Sequence, residues 1–197
     1  MKKKIIFMAT AAAAIAVLFA AGCNTNPGTT GPNGGEQTTE YTKITRAYDG
    51  ADEAASLEKK ITVSSGETVL SWETETYTKA ETGYTLVVNS GVLNEIGEGD
   101  GMYAEEEETT NVSGIKLGAF PKESDFILPV YGDVEDTLTL TAKLSATYLT
   151  SIGFAAGNAE GDVDFEAVVT AGKFVSLDLA YTSSNGNSVT ISFDFAY

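Results

Sequence analysis

The sequence predicts an all-β fold: an antiparallel β-sandwich with one short N-terminal helix, a closed antiparallel β-barrel being the alternative. Three observations carry this. Apolar and polar residues alternate with period two through the C-terminal third of the chain. The runs are rich in Thr, Val, Tyr and Phe and are broken by Gly and Asn. One break, Ser183-Ser184-Asn185-Gly186-Asn187, contains the Asn-Gly pair that favours a tight hairpin.

Before any fold begins, residues 1–23 read MKKKIIFMATAAAAIAVLFAAGC. Lys2, Lys3 and Lys4 precede a run from Ile5 to Phe19 that is apolar except at Thr10, and Ala20, Ala21 and Gly22 follow. A positive start, a short apolar stretch and small residues are the three parts of a secretory signal peptide. The junction Ala20-Ala21-Gly22-Cys23 resembles the lipobox of bacterial lipoproteins, with Ala20 where that family usually has Leu. The resemblance covers residues 1–23 only. It implies that residues 1–22 are removed, that Cys23 carries diacylglycerol, and that the protein is exported and lipid-anchored in the cell envelope, at the outer membrane or cell surface. Two or three acyl chains make such anchoring long-lived, where one would be marginal. An uncleaved membrane anchor and an ordinary secretory signal are the other readings of the same stretch. Cys23 is the only cysteine, so no intramolecular disulfide forms.

Residues 23–40 comprise the lipidated cysteine and a tether. From Asn24 to Glu40 there is no aliphatic or aromatic side chain, and Pro27 and Pro32 alternate with glycines. Such a stretch cannot bury enough apolar surface to offset the entropy of ordering. Residues 41–197 are then one β-rich domain, large enough for a real core.

Within that domain Tyr41–Arg46 reads as a short strand. Asp49–Lys60, with acids first and lysines last, reads as the helix, because that charge order suits the helix dipole. Strands are expected at 60–64, 68–78, 84–89, 113–120 and 126–131, with Pro129 marking an edge or an interruption. The strongest alternation lies in 138–150, 161–171, 174–182 and 188–197, where Leu138, Leu140, Leu144, Val163, Phe165, Leu177, Leu179, Ile191 and Phe193 point one way. The last strand ends on an aromatic residue and resembles the terminal strand of outer-membrane barrels over about ten residues.

Charge narrows the functions. The full chain has 12 basic and 28 acidic residues; without residues 1–22 the balance is 9 to 28, or −19. This argues against nucleic acid as a partner and favours basic partners or cations. The chain has no histidine, which removes Ser-His-Asp and Cys-His catalysis and most zinc sites. Paired carboxylates remain, as in glycoside hydrolysis. The expected function is therefore a non-catalytic binding or structural module with a glycan, envelope-protein or host-protein ligand. A carboxylate-pair glycan hydrolase and a small outer-membrane barrel are the alternatives.

Three groups of side chains are candidates for binding. Glu98, Asp100, Glu105, Glu106, Glu107 and Glu108 crowd around Gly97, Gly99 and Gly101; hard oxygens on a flexible loop suit calcium, although the spacing is not that of an EF-hand. A solvated acidic loop is the plainer reading of the same residues. Asp162, Asp164 and Glu166 share one strand face, the wet side of a sheet or a row facing a cation. Trp72, Tyr77, Tyr84, Tyr103 and Tyr131 include candidate sugar-stacking platforms.

Overall fold

The computed structural model describes residues 39–93, 103–151 and 159–197. Cys23, Glu98 and Asp100 lie outside the described residues, as do the expected signal peptide and most of the expected tether. The all-β, antiparallel class with a short N-terminal helix is what the structure holds. Helix α1 (Glu40–Asp49) precedes strands β1 (Ser56–Ser65), β2 (Thr68–Lys79), β3 (Tyr84–Leu93) and β4 (Tyr103–Val112). Strands β5 (Phe126–Val134) and β6 (Thr137–Ser145) follow, then helix α2 (Ala146–Ser151), then β7 (Asp162–Thr170), β8 (Lys173–Thr182) and β9 (Ser188–Ala196). Among the described residues these nine strands join one sheet in the order β4-β3-β2-β1-β9-β8-β7-β6-β5. The sheet is not closed: β4 and β5 are its two edges, so the barrel alternative lacks its last ladder.

The helix lies one segment earlier than its charge order suggests. The Thr39 hydroxyl accepts from the Thr42 amide at 3.2 Å, Glu40 stands in the first turn and Arg46 in the last, and Gly50 ends the helix. Its apolar stripe is Ile44, Ala47 and Tyr48, all buried. Asp49–Lys60 has too few apolar positions to bury a helical face. After a short 3-10 turn at Ala51–Glu53 it extends into β1, where Leu57 enters the core. Tyr41–Arg46, expected as a strand, is part of this helix, and two further expectations change. Tyr103–Val112 is a strand although it is acidic, and 113–120 is irregular, because backbone pairing with β3 holds the former while the latter crosses the core. The run from Leu138 stops as a strand at Ser145, whose hydroxyl accepts from the Tyr148 amide at 3.2 Å and caps α2.

Turn chemistry fits the register. Ser183 and Asn187 close the β8–β9 connection through the Ser183 amide to the Asn187 carbonyl at 2.8 Å, as the Asn-Gly pair predicts. Pro129 marks both an edge and an interruption. It lies on edge strand β5 beside Leu128, which has φ +52, and register shifts between Ile127 and Val130.

Successive side chains of a strand point to opposite faces, so the ladders sort the sheet into an inner and an outer face. The core lies on the inner face of β5–β9. Leu140, Leu144, Val163, Phe165, Phe174, Leu177 and Leu179 are all almost wholly buried there. Phe126 and Phe165, two strands apart, meet with ring centroids 5.0 Å apart, so the sheet curls toward this face. Helix α1 and the 113–125 segment fill the concavity. The Tyr48 hydroxyl donates to the Gly118 carbonyl at 2.8 Å and the Tyr41 hydroxyl to the Pro121 carbonyl at 2.9 Å. Phe120 packs against Tyr48, Phe126, Phe165 and Phe174.

Candidate functional site

Strand β1 runs along this core through Leu57, Ile61 and Val63, whereas β2–β4 join it only at one end, through Tyr77, Tyr84 and Val112. The Tyr84 hydroxyl donates to the Asp52 and Ala54 carbonyls at 3.0 and 2.8 Å and pins that end. Beyond it the inner face turns polar. Register aligns Lys59, Glu75, Val88 and Glu108 in one row, and Ile61, Glu73, Ser90 and Glu106 in the next. Lys59 Nζ donates to Glu75 Oε1 at 2.5 Å, with both side chains 18% exposed, and the Tyr77 hydroxyl donates to Glu75 Oε2 at 2.9 Å. Glu75 is thus held by a cation and a phenol. Its neighbour Glu73 is different: partial burial pushes its carboxyl above the ordinary range, Lys59 pulls it back, and the Glu75 charge adds to the rise. Val88, Ser90 and Glu106–Glu108 line a shallow depression at the β3–β4 margin of the sheet.

The four consecutive glutamates of the acidic run lie on β4, not on a loop. An extended strand sends them alternately to both faces: Glu105 and Glu107 outward, Glu106 and Glu108 inward. Among the described residues no three acidic side chains gather as a metal would require. Calcium there would need oxygens beyond those of β4.

The outer face carries the second row. Asp162, Asp164 and Glu166 are exposed, and Lys143 pairs with Asp164 at 3.1 Å. Asp178, opposite Glu166, is pushed up by partial burial and by the charges of Asp194 and Glu166. The aromatic candidates divide. Tyr84 is buried and structural, Tyr77 serves Glu75, and the Tyr103 hydroxyl donates to the Val69 carbonyl at 3.0 Å. Tyr131 donates to Glu123 at 3.0 Å and is pushed up to about 12, by burial first and then by that hydrogen bond. Trp72 is half-buried on the outer face, where its Nε1 lies 2.6 Å from the place a Cβ on Gly91 would take. Lys60, Thr62, Val69 and Thr74 surround it in a shallow patch.

Lys59, Glu73 and Glu75 are the residues that sequence reasoning missed. The alternation Leu57, Lys59, Ile61, Val63 was the available signal, and it puts a lysine on an otherwise apolar face. Reading a helix across 49–60 hides it.

No protein-family model matches the chain. No curated protein matches it either. Among solved structures, a redesigned β-barrel bound to DFHBI aligns with 76% of this chain and 98% of its own, at 14% identity and a TM-score of 0.23. A likeness at that score carries no argument about fold or function.

Proposed function

We propose that this chain is a bacterial lipoprotein, anchored in the cell envelope through lipid on Cys23, whose domain is a non-catalytic binding module for a protein with a basic face. The observation that carries the binding reading is the inner face of β1–β4. It is only partly buried, and it presents Glu73, Glu75, Glu106 and Glu108 around the cation Lys59. A net charge of −19 without residues 1–22 attracts a basic partner at long range, and Val88 and Ile61 give apolar area for contact. The signal peptide and the Ala-Gly-Cys junction support the anchor. Lipid labelling of the exported protein, lost in Cys23→Ser, tests it. A pull-down from envelope and host-surface extracts tests the partner. Capture should weaken with salt and with the double change Glu106→Lys, Glu108→Lys, whereas binding to a glycan array indifferent to both would favour a sugar ligand.

A second reading, glycan hydrolysis, rests on Glu73 and Glu75. Two residues apart on one strand face, their Cα atoms are separated by roughly 6.6 Å, and their surroundings differ in the way an acid–carboxylate pair requires. Turnover of oligosaccharides by the purified protein, abolished in Glu75→Gln, would establish this reading and end the non-catalytic one.

A further inference from the structure

The two edges of the sheet are built on opposite plans. Edge strands tend to carry charge that keeps other chains and surfaces away. Strand β4 does so with Glu105–Glu108. Strand β5 carries one charge, Asp133, on its inner side, while Ile127, Leu128, Val130 and Val134 are 40, 80, 63 and 70% exposed. Its outer row, Ile127, Val130, Gly132 and Val134, contains no charged residue, in a chain with 28 acids. Leu128 at φ +52 holds a bulky side chain outward in a backbone region that non-glycine residues rarely adopt. A clustered apolar strip of this kind on a soluble surface marks a contact.

The place where the tether meets the fold says what covers it. The chain enters at Thr39, the cap of α1, and Lys43 in that helix pairs with Asp133 of β5 at 3.9 Å. The chain therefore enters over the β5–β8 side of the sheet, away from the β4 edge. About sixteen residues separate Cys23 from Thr39, and a chain of that length cannot carry β5 out of reach of a bilayer that holds Cys23.

We infer that β5 rests on the membrane that holds the lipid anchor, with Ile127, Leu128, Val130 and Val134 seated among the headgroups. This deepens the lipoprotein reading and rests on it. Interfacial depth suits an edge strand, because its unpaired backbone groups still meet water and headgroups there. The acidic β4 edge and inner face are then turned toward the partner.

The test uses the lipidated protein on phosphatidylcholine vesicles, with an environment-sensitive dye on Leu128→Cys and, as control, on Glu107→Cys. Cys23 is blocked by its lipid, so the new thiol alone is labelled. The dye at 128 should shift to the blue on vesicles and escape an aqueous quencher, while the dye at 107 stays wet. A mature Cys23→Ser chain, held on nickel-chelating vesicles by an N-terminal oligohistidine tag, repeats the measurement without lipidation. Flotation of the untagged protein reports the anchor separately. A dye at 128 as wet as that at 107 on both vesicle types would overturn the seat and leave the anchor standing. Shielding that appears without vesicles and grows with protein concentration would overturn it in favour of a second copy.

Discussion

Gly91 has no Cβ where Trp72 needs the space. Any side chain there meets the indole first, at 2.6 Å from Nε1 for a Cβ alone. Gly91→Val should therefore displace the ring and cost about 1–3 kcal/mol, as overpacking does. Trp72 is the only tryptophan, so its emission reports the event directly. An unchanged spectrum and melting curve would mean that the ring yields at no cost. Glu73 makes a pH prediction. Burial raises its folded-state pKa above the ordinary 4.5, so the unfolded chain releases this proton more readily. Its contribution to stability is full below the unfolded pKa and is lost as pH rises through the folded one. Glu73→Gln should then melt higher than the parent at pH 7, and the gap should close below about pH 4.5. A gap that persists in acid would assign the effect to packing. The residue scale is also where the sequence was least legible. Lys59, Glu73 and Glu75 meet only through the registers of β1, β2 and β3, and no single run of residues displays them together.

Helix α1 is held by its cap and by two phenols. Thr39→Ala removes the acceptor for the Thr42 amide and should cost about 1 kcal/mol in denaturant melts. Tyr48→Phe leaves the Gly118 carbonyl without its donor and should cost about 1–2 kcal/mol. The two losses should add if the cap and the tie to 113–125 act independently, which a double variant measures. Strands β6–β9 were readable because each buries one face and wets the other, and that alternation is printed in the sequence. Strand β4 was not, since it is exposed along almost its whole length and side chains fix it only at its two ends, through Tyr103 and Val112. A short helix was expected, but over Asp49–Lys60, with Tyr41–Arg46 read as a strand. Tyr41, Ile44 and Tyr48 carried the correct spacing, while the charge order of Asp49–Lys60 mimicked a helix that had nothing to bury.

The whole molecule divides into a packed half and a projecting half. Strands β6–β9 lie over a continuous apolar layer, whereas β2–β4 leave the core after their first turn of contact at Tyr77, Tyr84 and Val112. Sheet hydrogen bonds are present throughout, so backbone pairing alone does not set local stability. Native-state hydrogen exchange should find β3 and β4 amides opening at much lower free energy than those of β7 and β8. Equal protection would mean that the sheet opens only as a unit. The strand order carries one further consequence. Every ladder joins successive strands except β1–β9, which joins the two ends of the folded chain. Two hairpin series can each zip locally, but they meet only when the last strand has been made and the longest loop has closed. The β1–β9 ladder is thus a kinetic gate. Ile191→Val, losing about 0.5–1.5 kcal/mol, should show its loss as slower refolding, while Val88→Ala in β3 should act mainly on unfolding. A chain delivered across a membrane N-terminus first would hold the β1 edge bare until β9 arrived, and for that interval its vulnerability to misassembly would be set by time rather than by stability.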